Sequence, residues 1–197
     1  MNLGFLASHN GSNMQAILDA CKSGALSAVS TVIISNNSES GALIRAVKEG
    51  IPSFHLSGKT HPDPAALDRA ILDELLKHEV DVVVLAGYMK RLGPETLRQY
   101  RGMVLNIHPA LLPKFGGKGM YGIHVHQAVI EAGERESGVT IHVVDENYDT
   151  GLIVAQERVT VLPEDTPETL AARVLACEHR LFPETLQKIA TGGIILK

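Results

Sequence analysis

Short unbroken apolar runs alternate along this chain with stretches whose apolar residues fall three and four apart. The runs predict strands at 2–7, 29–34 and 81–86, with a short one at 53–56. Val82, Val83, Val84 and Leu85 are apolar on both faces, the mark of a central parallel strand. The spaced stretches predict a helix at 13–21, where Met14, Ile17 and Leu18 share a side, and one at 41–49, closed by Gly50. A third helix is expected at 65–78, with Leu67, Ile71, Leu75 and Leu76 on one face. Further along, strands are expected at 103–107, 138–144 and 152–161. Helices follow at 123–132 and 166–190, the last interrupted or kinked near Pro183. Such alternation predicts an α/β fold: a doubly wound, mostly parallel sheet with helices on both faces and the C-terminal strands and helix appended. Its ligands belong at the carboxyl ends of the strands. No internal repeat, low-complexity tract or linker divides the 197 residues, so one domain is expected.

Composition then narrows the function classes. With 45% hydrophobic and 20% charged residues, the chain reads as a folded globular protein rather than a disordered one. Its 18 basic and 22 acidic residues give a net charge of −4 without a basic stripe, which speaks against a nucleic-acid partner. Cys21 and Cys177 lie far apart without metal-ligand spacing, which suits reduced thiols better than a disulfide framework. Residues 1–5 carry no cationic leader pattern and no apolar run reaches membrane-spanning length. A cytoplasmic protein without membrane attachment is expected.

The most informative stretch is Asn106-Ile107-His108-Pro109. Residues two apart on a strand project to the same side, and Pro109 forces the chain out of the sheet directly afterwards. An amide donor and an imidazole are thereby fixed together at a strand's carboxyl end. That pairing suits reaction at a carbonyl-like carbon, the amide binding a developing oxyanion while the imidazole moves a proton. By spacing alone, a strand end with two polar residues and a proline turn is the favoured reading, and the rest of the chain reverses that preference. Three loops at the same edge add to it. Gly11, Ser12 and Asn13 open a helix, where backbone N–H groups either bind a phosphate or are merely capped. Residues 87–94 mix Tyr88, Met89, Lys90 and Arg91, suited to a flat heteroaromatic ligand bearing carboxylates or to an ordinary solvated turn. In residues 144–151, Asp149 precedes a turn glycine and is the carboxylate that could return toward His108.

Together these stretches resemble the phosphoribosylglycinamide formyltransferase family, folate-dependent enzymes of purine synthesis, over nearly the whole chain. The resemblance rests on Asn10-Gly11-Ser12-Asn13, Leu85-Ala86-Gly87-Tyr88-Met89, Asn106-Ile107-His108-Pro109 with Leu111-Leu112-Pro113, Thr140-Ile141-His142, Asp149 and Glu178-His179, in this order and at these separations. It implies one formyltransferase domain over 1–197, with phosphate binding in 1–100 and folate binding and catalysis in 101–197. Gly11, Ser12 and Asn13 would hold the phosphate of the ribonucleotide, and Leu175 and Glu178 would contact the rest of it. Met89, Lys90, Arg91 and Leu92, with Asn106 and the loop of Asp145, Glu146, Asn147, Tyr148 and Asp149, would enclose the pterin of 10-formyltetrahydrofolate. In the family's scheme the glycinamide amine attacks the formyl carbon directly, giving a tetrahedral intermediate. Asn106 stabilises its oxygen, His108 moves the proton, and Asp149 holds the imidazole and raises its pKa. No metal is implied. The implied partners are the two small molecules, glycinamide ribonucleotide and formyl folate, and the chain is expected as a monomer or weak homodimer.

The chain departs from the family's pattern in places. His9 stands where many members have glycine, and Leu152 follows a glycine where proline is common. Pro64 replaces an arginine that meets the folate carboxylates, leaving Lys59, Lys90 or Arg91 for that role. Residues 116–122 read either as a mobile cover over the folate site or as an idle loop. Competing readings account for less. Methionyl-tRNA formyltransferases need a second, usually basic domain, and formyltetrahydrofolate hydrolases typically carry an N-terminal regulatory one. Neither domain is expected here. A metal-dependent hydrolase on His108, His124 and His126 lacks acidic ligands around the His-x-His pair. A phosphosugar-binding module has no use for Asn106, His108 and Asp149.

Overall fold

The computed structural model describes residues 1–196. Its strands are β1 (Asn2–Ala7), β2 (Val29–Ser35), β3 (Ser53–His55), β4 (Val82–Leu85), β5 (Val104–His108), β6 (Glu136–Val143) and β7 (Ile153–Thr160). They form one sheet in the order β3-β2-β1-β4-β5-β6-β7. The first five run parallel, and β6 and β7 join antiparallel at one edge. Strand order reverses at β1, which pairs with both β2 and β4. A crevice is expected at the carboxyl ends beside such a reversal.

Six helices cover the sheet: α1 (Ser12–Ser23), α2 (Gly41–Glu49), α3 (Pro64–Lys77), α4 (Pro94–Gln99), α5 (Ile123–Glu131) and α6 (Pro167–Ala190). Alternating strand residues feed two separate cores. Leu3, Phe5 and Ala7 of β1 pack with α1, α2, α5 and α6, while Leu6 packs with α3 and α4. Phe5 and Phe182 are fully buried, and each such side chain contributes about 1.5–3 kcal/mol relative to exposure. At Gly4 an added Cβ would come within 2.8 Å of Leu75 and Val80, so the segment covering β1 there packs against bare backbone.

Two expectations are corrected. Residues 94–99 carried no helix in the sequence reading, yet α4 forms. Gly93 at its start offers no capping side chain. The cap comes instead from buried Asp68 on α3, whose carboxylate accepts the N–H groups of Glu95 (2.7 Å) and Thr96 (3.2 Å) and the Thr96 hydroxyl (2.6 Å). Helix α6 runs unbroken through Pro183. The proline forfeits one backbone hydrogen bond, but Leu181, Phe182, Thr185 and Leu186 around it are all buried and hold the turn in place. A capping box between Thr166 and Thr169 starts this helix.

Asp68→Ala would leave the first turn of α4 and the Thr96 hydroxyl without their acceptor. Loss of a cap with buried partners is expected to cost about 2 kcal/mol, read as a lower urea midpoint at unchanged slope.

Candidate active site

Asn106 and His108 share one side of β5 and face β6, where Asn106 pairs with His142 and His108 with Thr140. Thr140 is engaged structurally. Its hydroxyl donates to the Ala110 carbonyl (2.6 Å) and accepts the Leu112 N–H (3.1 Å), which pins the turn after Pro109. His142 donates from Nδ1 to the Val143 carbonyl (3.0 Å), so its Nε2 accepts from Asn106 Nδ2 (3.1 Å). The second hydrogen of that amide remains free.

His108 donates from Nε2 to the Phe115 carbonyl at 2.7 Å, and its Nδ1 lies 3.7 Å from Asp149 Oδ2. The other Asp149 oxygen is 3.5 Å from His142 Nε2, so one carboxylate stands between two imidazoles. The Gly117 N–H donates to Asp149 at 2.8 Å. Phe115 and Asp149 both adopt left-handed backbones, with φ of 56° and 57°. Such conformations cost non-glycine residues roughly 1–3 kcal/mol and persist only where surrounding contacts impose them.

Burial pushes the His108 pKa below the ordinary histidine value, and the Asp149 charge and Phe115 hydrogen bond only partly oppose this. Asp149 thus acts in the expected direction, but burial outweighs it and the net shift is downward. Burial raises the Asp149 pKa too, yet the His142 ring beside it, the hydrogen bond from Gly117 and the charge of His108 bring it below the usual carboxylate range. The site therefore pairs a fixed anion with an imidazole that is neutral near pH 7.

Two cavities meet at this cluster. One, of about 720 Å³, opens between Asn13, Met89, His108, His126 and Glu178. A narrower one lies under residues 145–149, walled by Leu85, Leu92, Leu97 and Val144. Asn106, Tyr148 and Asp149 line both. A third, of about 950 Å³, shares Tyr88, Lys90 and Arg91 with the narrow one and extends to Lys59 and Pro64. In the first cavity Asn13 Nδ2 donates to Glu178 at 2.7 Å. Burial pushes the Glu178 pKa up to about 7.

Residues 1–186 match the protein family described as formyl transferase. The chain belongs to the formyl transferase family. It is 47% identical over 194 residues to the chloroplastic phosphoribosylglycinamide formyltransferase of Vigna unguiculata, covering 98% of this chain but 62% of that protein. It is 40% identical to the phosphoribosylglycinamide formyltransferase of Haemophilus influenzae, covering 98% and 88% of the two chains. The crystal structure of glycinamide ribonucleotide transformylase 1 from Symbiobacterium toebii superposes with a TM-score of 0.92 at 36% identity, covering 100% of this chain and 91% of that one.

Within this member of the family, the residues singled out from sequence distribute unevenly. His108, Asn106 and Asp149 come together as described. Asn13, Leu175 and Glu178 line the first cavity, whereas Gly11 and Ser12 do not. Gly11 is buried with φ +71°, and an added Cβ would sit 3.0 Å from that of Ala42, so its first duty is packing. Leu92, Asp145, Asn147 and Tyr148 line the narrow cavity with Lys90 and Arg91. Met89 lines the first cavity instead, and Glu146 lines none of the three. His9 is exposed, and its carbonyl accepts the Ala42 N–H. The glycine-rich loop forms a wall: Gly117 to Gly122 line the first cavity, and Gly117 holds Asp149. His124 packs edge-on against exposed Tyr121, while His126 is buried. Among the described residues no group of three or more His, Cys, Asp or Glu is placed to hold a metal, and no helix is long and apolar enough to cross a membrane.

His142 carried no assigned role from sequence. Its only signal was its place in the Thr140-Ile141-His142 motif, which shares one strand face with Thr140.

Two outcomes are expected. Asp149→Asn deletes the charge that favours the His108 imidazolium, so NMR titration should find the His108 pKa lower still. Glu178 has a folded pKa raised from 4.5 to about 7. Its neutral form therefore favours the fold: that contribution is fully present below about pH 4.5 and is lost as pH rises through about 7. Glu178→Gln should abolish the decline. Urea denaturation should find the variant's stability relative to wild type greater at pH 8 than at pH 4 by roughly 3 kcal/mol.

Proposed function

We propose that this chain transfers the formyl group of 10-formyltetrahydrofolate to the amine of 5′-phosphoribosylglycinamide, a step of purine synthesis. The observation that carries this reading is the meeting of two cavities at Asn106 and Asp149, with His108 beside them. A reaction joining two substrates needs such a junction, with its polar groups at the point of contact.

The first cavity suits the ribonucleotide. Asn13 stands in the first turn of α1, whose free N–H groups favour a phosphate, and Glu178 can meet ribose or amide groups. The narrow cavity has apolar walls for a flat ring, and Asn106 sits at its inner end. The third takes the folate's carboxylates: Lys59 and Lys90 are exposed and neither has an ion-pair partner among the described residues. Arg91 lies 5.3 Å over the Tyr148 ring, bracing the loop above the narrow cavity. With Pro64 on the same wall, these cations stand where the family's arginine would reach.

Bound formyl folate supplies a one-carbon unit with a carbonyl oxygen. The chain's own residues do the rest. Asn106 offers the free hydrogen of its amide to that oxygen as it gains charge. His108, neutral with its hydrogen on Nε2, takes onto Nδ1 the proton that the attacking amine sheds, at the side of Asp149, whose anion stabilises the imidazolium so formed. The leaving nitrogen takes this proton. His142 fixes the Asn106 amide, and the Phe115 carbonyl fixes the imidazole plane.

Folate release in a stopped-flow absorbance assay is expected to require glycinamide ribonucleotide. Release at the same rate without it would make the protein a hydrolase instead. His108→Ala is expected to lower turnover about 10²–10⁴-fold and Asn106→Ala about 10²–10³-fold. Lys59→Ala and Lys90→Ala should each raise KM for formyl folate by about two- to fivefold, the worth of an exposed ion pair. KM for the ribonucleotide should not move.

A further inference from the structure

His126 has no part in the scheme above, yet it is 4% exposed and lines the same cavity as His108 and Glu178. It sits on α5 with Val125 and Val129 buried around it. Its Nδ1 is sealed from solvent and has no hydrogen-bond partner. The nitrogen left to face the cavity is Nε2. An orphaned buried N–H is rarer than an orphaned lone pair, so the favoured tautomer keeps the lone pair on Nδ1 and the hydrogen on Nε2. A second proton would place an unpartnered N–H at Nδ1.

We propose that His126 is a substrate-binding residue, a neutral imidazole whose Nε2–H donates to the carbonyl oxygen of the ribonucleotide's glycinamide unit. The inference rests on the function proposed above. His108 marks where the amine reacts, and within that substrate the carbonyl oxygen lies three bonds from the amine nitrogen, closer than any ribose or phosphate oxygen. A cavity wall beside His108 therefore meets this oxygen rather than the ribose or phosphate. Burial, with the charge of nearby His108, lowers the His126 pKa and keeps it uncharged. The other ionisable groups facing the cavity are Asp149, Glu178, Lys118, Tyr88, Tyr121 and Tyr148. His126 differs from His108 in that no carboxylate pairs with it. Its function is a fixed donor, not a proton carrier.

The test compares wild type, His126→Leu and His126→Gln in steady-state kinetics from pH 6 to 8.5. His126→Leu should raise KM for glycinamide ribonucleotide about tenfold, the loss of a buried neutral hydrogen bond. Turnover and KM for formyl folate should change less than about twofold, at every pH. His126→Gln, which retains a neutral N–H, should recover most of the loss. Unchanged nucleotide KM, equal rises for both substrates, or a turnover loss that varies with pH would each overturn the assignment. A second measurement does not depend on the variants folding. In ¹⁵N-imidazole spectra of wild type, His126 should be in the neutral Nε2–H form from pH 7 to 8, and its Nε2 resonance should shift on adding glycinamide ribonucleotide. An unmoved resonance overturns the inference alone while formyl transfer stands. Wild type that neither binds the nucleotide nor formylates it overturns both.

Discussion

The antiparallel pairing of β5 with β6 governs the whole site, because it fixes which side chains face each other across the strand edge. Asn106 meets His142 and His108 meets Thr140 in this register. A slip of one residue would turn each of these to the opposite face of the sheet. Val104 and Leu105 then anchor β5 in the two apolar cores, one on each face, so the slip would also bury polar groups without partners. The geometry of the candidate site is thus secured by the packing of Val104 and Leu105, which line none of its cavities.

On this frame the polar cluster is built at a cost. Asp149 and Phe115 hold left-handed backbones, Glu178 is a buried carboxyl, and His108 and His142 are buried imidazoles. Each is disfavoured in isolation, and each is compensated by one specific contact: Gly117 to Asp149, Phe115 to His108, Asn13 to Glu178, Val143 to His142. Gly151 completes the arrangement, since an added Cβ there would lie 1.8 Å from the Val143 carbonyl and prevent the return of the 145–149 loop. The loop is further closed by Asp145, which accepts the Asn147 N–H and the Thr150 hydroxyl. Thr150 thereby gives the turn a local tie.

Much of this was legible in the chain. Apolar runs and three-to-four spacing place the strands and the longer helices, and Asn106, His108 and Asp149 stand out by residue type and turn context. What stayed hidden depends on partners distant in sequence. The cap of α4 belongs to Asp68 on another helix, so residues 94–99 carry no local start signal beyond Pro94. His142 is placed by strand register, which one strand's sequence does not encode. Pro183 reads as a break because the local rule is strong, whereas buried neighbours decide the outcome. Met89 falls in the same loop as Lys90 and Arg91 yet faces a different cavity, a consequence of backbone direction at a turn. Gly11 reads as a ligand contact, although its φ and its closeness to Ala42 give it a packing duty.

The central claim is that two substrates meet where Asn106, His108 and Asp149 line the junction of two cavities. A crystal structure with glycinamide ribonucleotide and a folate analogue that cannot release its one-carbon unit tests this most directly. The account predicts the amine and the one-carbon group about 3–3.5 Å apart at the junction, with the analogue's oxygen on Asn106 Nδ2 and its nitrogen toward His108 Nδ1. Ligands bound in separate cavities without approaching each other, or a one-carbon group remote from Asn106, would contradict it.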